Sequence, residues 1–463
     1  MLKYTVLSLV LMHMAVGVQS ECVSTKNALD AMIERASSGA EICIANGNYK
    51  DWAIILNKDN IILTGETDGR VIMTGSSTIK LMGKSITVKN FVFTAPLSGN
   101  SRSIPSPINI WYTASFCSVS DCMIHDHAAN IWVKMRGNNN EVHHCTFKDK
   151  PAPQLSATGQ EMGLSNIVSV SDGKMFKNRV HHNKFINYDP DAKIAEHKHG
   201  SAEAVYVKIA GNAGRDTRNL SCSVHNNYFY NIDSEEETIG IKSSGNEVYE
   251  NAIEDCYGGI SLRHGKNNVV RNNFIKGRMT ESKGDYGINV HDENHIVKDN
   301  WVMDVGQHHG IKVVGGNGPE GCNICHVRAK NVKILHNTLI NSALHLGKYF
   351  HTGQYSSPVD ITIQDLTASC DKNYAMITGY GLQQPSAFKG TPFSFLGVNR
   401  FSGKKIAYGA VLPNLKHLID NKIIIWKKSP EDFGDYGMKM IRKIECEAGP
   451  AWEVKKDGCG NHN

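Results

Sequence analysis

The hexapeptides Val248-Tyr-Glu-Asn-Ala-Ile253 and Val270-Arg-Asn-Asn-Phe-Ile275 stand 22 residues apart and share one pattern. An aliphatic residue is followed by two mostly polar residues, then Asn or Cys, then any residue, then an apolar one. The pattern recurs along the chain with its central residue at Cys122, Cys145, Asn183, Asn227, Asn251, Asn273, Asn300 and Asn337. A unit of about 22 residues, lengthened in places by loop insertions, is typical of a solenoid.

The apolar runs of this repeat are short and rich in Val and Ile, and no heptad pattern accompanies them. Such runs favour strands over paired helices, so the repeat predicts an all-β chain wound as a parallel β-helix. We expect the solenoid to extend from about residue 40 to at least residue 340. The recurring Asn and Cys side chains should point inward and stack as a hydrogen-bonded ladder.

The two ends of the solenoid have different sequence signals. Residues 25–38 place Leu29, Met32 and Ile33 at helical spacing, which predicts an amphipathic helix that caps the open N-terminal end. After about residue 375 the repeat fades, and no Pro-rich or Gly/Ser-rich linker marks a second domain. We therefore predict one β-helix domain over 21–375, followed by final coils and a C-terminal cap over 376–463.

Residues 1–20 combine a lysine, an apolar stretch and small residues, which predicts a signal peptide. The apolar stretch is short for a membrane span and no later one qualifies, so we expect a secreted, extracellular protein without a membrane span. The net charge is +5 and no dense basic cluster is present, so nucleic acid is not an expected partner. We expect a monomer.

All 12 cysteines follow residue 20, which favours disulfides in an exported chain. Cys122 and Cys145 occupy the Asn position of the repeat, so they are either half-cystines or buried free thiols. Cys322 and Cys325 form a single Cys-x-x-Cys motif, for which a zinc site and a loop disulfide both stay open.

Two cations lie at matching positions of neighbouring repeats. Lys242 follows Ile241, and Arg263 follows Leu262, 21 residues after Lys242. Because side chains alternate along a strand, the aliphatic residues should face one side and both cations the other. Neighbouring coils are about 4.8 Å apart, which would bring both cations within reach of one linkage of a bound polymer. Solvated surface cations are the alternative.

The motifs around these cations carry a family resemblance. Glu-x-Glu-x-x-x-x-Lys-Ser-Ser-x-Asn at 235–246 is followed by Leu-Arg-His-Gly-x-x-Asn at 262–268. Together they resemble polysaccharide lyase family six, the alginate lyase and chondroitinase B group, and the similarity covers roughly 25–340. The resemblance implies a right-handed, single-stranded parallel β-helix that cleaves uronic-acid polymers by β-elimination with the help of calcium. The domain over 21–375 would then be catalytic.

In that family the residues matching Glu235 and Glu237 are calcium ligands, joined by an Asn from the preceding coil. The matching segment here is near Gly200-Ser-Ala-Glu203 and has no Asn, so Glu203 is the first candidate for the third ligand. Calcium prefers several oxygen ligands, which these carboxylates could supply. An acidic turn in solvent is the alternative for 235–237.

The resemblance implies that Lys242 is the base that takes the C5 proton and Arg263 the acid that serves the leaving O4. A guanidinium hardly ever gives up its proton, so we expect Arg263 to stabilise charge on the leaving oxygen and leave proton donation open. His264 would contact the sugar, as in the family, or serve as a structural hydrogen-bonding residue.

Other outward positions extend this surface into a cationic, partly aromatic groove suited to a polyanion. Its predicted substrate-binding residues, with His264, are Lys134, Lys208, Asn289 and Lys312, and its predicted aromatic residues are Trp132 and Tyr206. Asn289 departs from the family, which commonly has Arg there. An arginine would grip a carboxylate or sulfate, so this difference bears on substrate preference.

These observations lead to one expected function and two alternatives. We expect a secreted polysaccharide lyase with alginate as the first substrate, because alginate is the commoner substrate of the family and needs no sulfate pocket. Chondroitin or dermatan sulfate is the alternative within the class. A non-catalytic β-helix that binds anionic glycans or acts as an adhesin is the alternative outside it.

Overall fold

The computed structural model describes fifteen segments of the chain, from residue 21 to residue 454. They are 21–95, 104–151, 166–170, 176–188, 207–210, 218–232, 236–278, 285–317, 325–347, 356, 358–372, 375–378, 393–403, 423–425 and 431–454. The predicted signal peptide over 1–20 lies outside these residues, as do Glu203, Tyr206, Glu235 and Cys322.

The strands follow one another around three faces of a solenoid, and each strand pairs in parallel with the strand one coil away. The first face is formed by β1 (Glu41–Ile44), β4 (Ile62–Gly65), β7 (Thr87–Lys89), β10 (Ser118–Ser120), β13 (Glu141–His143), β16 (Arg179–His181), β19 (Ser223–His225), β22 (Glu247–Tyr249), β25 (Val269–Arg271), β28 (Ile296–Lys298), β30 (Lys330–Leu335), β32 (Val359–Gln364) and β35 (Phe393–Leu396).

The second face follows the first directly along the chain. It is formed by β2 (Gly47–Lys50), β5 (Val71–Thr74), β8 (Phe91–Ala95), β11 (Met123–His127), β14 (Thr146–Lys148), β17 (Lys184–Tyr188), β20 (Tyr228–Ile232), β23 (Ala252–Glu254), β26 (Phe274–Lys276), the first part of β29 (Trp301–Val314) and of β31 (Thr338–Gly347), β33 (Thr367–Cys370), β36 (Asn399–Gly403) and β37 (Ile423–Ile425).

The third face carries the cations of interest. It is formed by β3 (Ala53–Leu56), β6 (Thr78–Leu81), β9 (Ile108–Ile110), β12 (Ile131–Met135), β15 (Asn166–Val170), β18 (Val207–Ala210), β21 (Glu237–Lys242), β24 (Gly259–His264), β27 (Ile288–Val290), the last parts of β29 and β31, and β34 (Ile377–Thr378). The predicted all-β parallel β-helix is confirmed.

The repeat motif forms the corner between the first and second faces. Its aliphatic residue is buried on the first face, as Val248 and Val270 show. The residue just before the recurring Asn turns the chain with a positive φ, 53° at Glu250 and 54° at Asn272. Polar residues tolerate this left-handed conformation better than β-branched ones, which explains the polar positions of the motif.

The predicted asparagine ladder is present along the axis. Each side-chain Nδ2 donates to the Oδ1 of the next coil, at 2.9 to 3.0 Å, from Asn183 through Asn227, Asn251, Asn273 and Asn300 to Asn337. Every member is essentially buried. A second inward column, which the sequence analysis missed, lies five residues earlier and contains Asn140, Asn178, Asn246, Asn268 and His295.

Replacing Asn251 with leucine is expected to destabilise the fold by at least about 2 kcal/mol, since the side chain is buried and bonded on both sides. The change removes the acceptor of the Asn227 backbone N–H and the donor to the Val224 carbonyl. Asn48→Leu, at an exposed position of β2, is the matched control. Equal unfolding midpoints for the two variants in urea would show that the ladder contributes little.

The N-terminal cap is confirmed as α1 (Lys26–Arg35), which begins at the N-cap residue Thr25. Its Leu29 is fully buried, and Met32 and Ile33 pack against the first coils. The disulfide Cys22–Cys43 ties the preceding segment to β1. Open polar groups at the end of the solenoid are thereby covered.

The bonding state of the other cysteines decides between most of the alternatives left open by the sequence. Cys122 and Cys145 are buried free thiols in the inward column, which confirms this alternative over half-cystines. Cys325 is disulfide-bonded, which favours the loop disulfide over zinc for the Cys-x-x-Cys motif, and Cys446 is disulfide-bonded too.

The C-terminal segment adds strands as far as β37 and then two helices, α2 (Glu431–Glu447) and α3 (Ala451–Val454). Ile441 and Ile444 of α2 pack on Phe274 and Trp301 of the second face, so this helix lies along the side of the solenoid. Gly437 sits so close to Trp301 that a Cβ there would fall 2.2 Å from the indole ring. None of the described helices is long and apolar enough to cross a membrane.

Trp132 corrects one expectation about the third face. The alternation across β12 predicted an outward indole, but Trp132 is fully buried. Its Nε1 donates to the carbonyl of His127 at 2.8 Å, and its ring packs on Phe147. Trp132 and Val133 are therefore both buried, and strict alternation fails in β12.

His127 gives the fold a pH dependence. Its Nδ1 accepts the Ala129 N–H at 3.2 Å, and burial lowers its pKa to about 3. The unfolded chain takes up this proton near pH 6.5 and the folded protein does not, so stability falls as the pH drops from about 6.5 to 3. The slope is at most about 1.4 kcal/mol per pH unit.

His127→Asn keeps an acceptor for Ala129 and removes the titration. Thermal unfolding midpoints of both proteins between neutral and acidic pH should therefore diverge, with the wild type losing more stability. Parallel curves would contradict the assignment.

Candidate active site

A column of polar side chains runs along the outer surface of the third face. In register, Lys134 pairs with Ser169, Ser169 with Lys208, Lys208 with Gly240, Gly240 with Ser261, Ser261 with Asn289 and Asn289 with Lys312. Four predicted substrate-binding residues, Lys134, Lys208, Asn289 and Lys312, thus lie at one register position. The structure thus places these four residues along one line, which is the arrangement that a substrate-binding groove needs.

This column continues toward the N-terminus at positions that were not predicted from sequence. Lys80 pairs with Asn109, and Asn109 with Lys134. The Nζ of Lys80 lies 3.8 Å from the ring centroid of Trp111, and the guanidinium of Arg136 lies 5.0 Å from it. The alternation in Thr78–Leu81 and Ile108–Ile110 is the signal that could have revealed these positions. Trp111, in place of Trp132, is the aromatic residue beside the cationic column.

Lys242 ends β21 with its side chain half-buried, while Ile239 and Ile241 before it are fully buried. It has no hydrogen bond or ion pair with any residue that the structure describes. A general base must come within hydrogen-bond reach of the proton that it takes, and a lysine amine without a carboxylate partner among the described residues is open to such an approach.

Arg263 lies on the neighbouring strand, but not directly opposite Lys242. Ile241 pairs with Leu262 and Lys242 pairs with His264, so β24 carries one extra residue at Arg263. This is a β-bulge, a feature common beside active sites because it re-aims a side chain. The two cations share the outer surface as expected, while the simple 21-residue match is wrong by one residue.

Glu237 lies next to Arg263 at the start of β21, with its side chain only 6% exposed. Its Oε1 accepts from Ser261 Oγ at 3.1 Å and lies 3.6 Å from Nη1 of Arg263. Its Oε2 is buried and has no hydrogen-bond partner among the described residues. The acidic turn in solvent is therefore wrong for Glu237.

An unpaired buried carboxylate oxygen is what a hard cation with oxygen ligands uses. Glu237 therefore fits a calcium ligand. The two other predicted ligands, Glu235 and Glu203, lie outside the described residues. Glu236, between Glu235 and Glu237, accepts from the Tyr286 hydroxyl at 2.7 Å.

Tyr286 contacts both Glu236 and Lys312, the residue at the C-terminal end of the polar column. Its ring stacks on His309 with centroids 4.1 Å apart, and Nζ of Lys312 lies 5.8 Å from its centroid. Burial raises the pKa of Tyr286, so the phenol stays protonated and donates to Glu236. Burial also lowers the pKa of Lys312, and Glu236 opposes that shift.

Three histidines lie together near Arg263, and of these His264 and His291 are buried while His326 is half-buried. His264 is 3% exposed, and its ring centroid lies 6.3 Å from that of His326, which in turn lies 4.6 Å from His291. Burial holds the pKa of His291 well below its usual value, with further lowering by His326 and Lys312. Burial therefore keeps His291 neutral close to the cationic surface.

Taken together, these side chains can bind an anionic chain, neutralise a carboxylate and accept a proton. The column cations would supply the first property, a cation held at Glu237 the second, and the Lys242 amine the third. Arg263 lies where it can stabilise charge developing on a neighbouring oxygen.

The fold is shared with solved lyases of low sequence identity. A mannuronic acid specific polysaccharide family 6 lyase from the human gut microbiota has a TM-score of 0.75 at 19% identity, covering 93% of this chain and 96% of its own. A PL6 polysaccharide lyase from Pseudopedobacter saltans has a TM-score of 0.66 at 22% identity, covering 94% and 99%. An alginate lyase in complex with G6 has a TM-score of 0.65 at 19% identity, covering 82% and 83%.

Sequence comparison gives the family itself. No curated protein sequence matches the chain significantly. The family model described as chondroitinase B, however, matches residues 23–367, which is most of the chain and includes every strand of the site. The chain therefore belongs to the chondroitinase B family of polysaccharide lyases.

Proposed function

We propose that this lyase cleaves a uronic-acid polysaccharide, with alginate as its first substrate, by β-elimination at Lys242 and Arg263. The observation that supports this most is the position of Lys242, which has no partner among the described residues, on the strand next to Arg263, whose Nη1 lies 3.6 Å from Oε1 of Glu237. A solvated surface would not need a bulge at Arg263 and a buried carboxylate at Glu237 on neighbouring strands.

The elimination step assigns one role to each side chain. Lys242 takes the proton from C5 of the uronate, the electron pair forms the C4–C5 double bond, and the C4–O4 bond breaks. Arg263 stabilises the negative charge that develops on O4, which is finally protonated from solvent or from Arg263 itself. Lys134, Lys208, Asn289, Lys312 and His264 bind the flanking sugars.

We propose calcium as the cofactor, held by Glu237 together with Glu235 and, as the candidate third ligand, Glu203. The unpaired Oε2 of Glu237 supports this choice. Bound there, the ion would neutralise the uronate carboxylate, beside which the carbanion must form. Calcium takes six to eight oxygen ligands, so water and substrate would complete its shell.

The preferred polymer rests on two observations. The solved structures of similar fold include a mannuronic acid specific lyase and an alginate lyase. Asn289 lies in the column between Ser261 and Lys312, where it offers an amide and no charge for a sulfate. Chondroitin or dermatan sulfate is the second candidate, favoured by the family model that matches the chain.

The apolar N-terminal sequence supports secretion of this enzyme.

A substrate panel tests the function. Alginate, polymannuronate, polyguluronate and dermatan sulfate are incubated with the protein and followed by the ultraviolet absorbance of the unsaturated product. We expect product from alginate or one of its two homopolymers and little from dermatan sulfate. Absorbance from dermatan sulfate alone would move the specificity to glycosaminoglycans, and binding of all four without product would favour the glycan-binding alternative.

A further inference from the structure

Five imidazoles are stacked at the corner between the first and second faces, away from the strands that carry Lys242 and Arg263. His143, His181 and His225 end β13, β16 and β19, with ring centroids 5.0 and 4.8 Å apart and planes within 4°. His144 and His182 form a parallel column beside them, 4.9 Å apart. The two columns meet at close to a right angle.

The ring nitrogens of the two columns point at one another. Nδ1 of His181 lies 2.9 Å from Nδ1 of His182, and one coil earlier Nδ1 of His143 lies 2.8 Å from Nδ1 of His144. His181, His182 and His225 each offer a ring nitrogen, and all three lie within 4.8 Å of one another. This spacing is close enough for one ion to collect three nitrogens with small ring movements.

In the first column, the Nε2 atoms of His181 and His143 each face a carboxylate oxygen of Glu141. Oε2 of Glu141 lies 3.4 Å from Nε2 of His181, and Oε1 lies 3.7 Å from Nε2 of His143, which also contacts Ser118 Oγ at 2.8 Å. A carboxylate at Nε2 favours the tautomer with its proton there, which leaves the lone pair on Nδ1. Metal-binding histidines commonly have this carboxylate behind them.

We propose that His181, His182 and His225 bind a divalent transition ion of the zinc class, with Glu141 positioning the ring of His181. Imidazole nitrogens suit Zn²⁺, Co²⁺, Ni²⁺ and Cu²⁺, whereas Ca²⁺ prefers oxygen, so this site is chemically distinct from the one at Glu237. The three rings are partly exposed, and an ion can reach them from solvent. Three protein nitrogens leave a fourth position for water.

Such an ion would join two neighbouring coils and lie beside the C-terminal segment. The carbonyl of His182 accepts from the N–H of Gly449 at 2.8 Å. Because an ion that binds only the folded protein stabilises it by mass action, zinc should raise the unfolding temperature. Ring stacking alone is the competing explanation, since Tyr249 continues the first column 4.5 Å beyond His225.

The test variants remove the ring nitrogens of the proposed ligands and keep the stacking of the aromatic rings. His181→Phe/His225→Phe retains aromatic rings at positions where Tyr249 shows that a six-membered ring fits the column. His182→Asn retains a residue that tolerates the left-handed turn, as Asn226 does at the same position one coil later. His336→Asn is the matched control, because His336 occupies the same turn position but faces Asp299 and Asp365.

Untagged protein and its variants are titrated with ZnCl₂ by calorimetry and with CoCl₂ by absorption spectroscopy. We expect one zinc ion per wild-type chain, and binding at least about tenfold weaker, or about 1.4 kcal/mol, in both test variants but not in His336→Asn. Polysaccharide cleavage should be unchanged in all of them. Absence of zinc binding by the wild type, or equal zinc affinity in His181→Phe/His225→Phe, would show that the columns are stacks only.

Discussion

Lys242→Ala is expected to lower turnover on the cleaved polymer by at least roughly a hundredfold, the usual effect of losing a general base. Substrate binding should be less affected, because Lys134, Lys208 and Lys312 still line the groove. The fold should also survive, since the Lys242 amine has no partner among the described residues whose loss would cost stability. Initial rates of unsaturated product, with KM determined separately, measure the effect.

Lys242→Arg separates charge from proton transfer. An arginine keeps the positive charge but stays protonated, so it cannot accept the C5 proton, and the variant should be as inactive as the alanine one. Lys333→Ala, at an exposed position of β30 on the first face, controls for the loss of a lysine. Near-normal turnover in Lys242→Ala would remove the proposed mechanism.

Glu237→Gln should raise the calcium concentration needed for half-maximal activity by at least about tenfold, equivalent to about 1.4 kcal/mol. The substitution keeps the shape of the side chain and removes the charge beside Arg263. Wild-type protein should lose activity in excess chelator and regain it with added calcium, while the variant should recover only at much higher calcium.

Glu247→Gln provides the matched control, because Glu247 is half-exposed on β22 and pairs with Arg271. Calcium titrations of activity for wild type, test variant and control should separate only Glu237→Gln. Full wild-type activity in excess chelator, with no metal retained by the purified protein, would contradict a role for calcium.

The repeat was readable from sequence because one constraint recurs in every coil. A left-handed turn followed by an inward amide fixes both the polar residue and the Asn, so Asn251 and Asn273 carry the period. The second column escaped notice because Asn246 and Asn268 follow Gly- and Asn-rich turns that resemble ordinary loops. Their burial depends on contacts between coils, which composition does not encode.

Around the site, the types of the functional residues could be predicted from sequence more accurately than the pairing register of their strands. Simple alternation placed Trp132 outward, and the strict spacing placed Arg263 opposite Lys242. The packing of Trp132 on Phe147 and a bulge at Arg263 changed both. Glu237 was readable only as one of three acidic residues, because its burial arises from Ser261 and Arg263 on the next coil. Local deviations from regular pairing depend on neighbouring strands and therefore need the structure.

The most direct test of the central claim is a crystal structure of the inactive Lys242→Ala variant soaked with an alginate trisaccharide. The proposed mechanism predicts a uronate across β21 and β24, with its C5 hydrogen facing position 242, its O4 near Arg263 and its carboxylate toward Glu237. The remaining sugars should follow the column that contains Lys208, Asn289 and Lys312. A trisaccharide bound on another face, with the third face empty, would contradict the assignment.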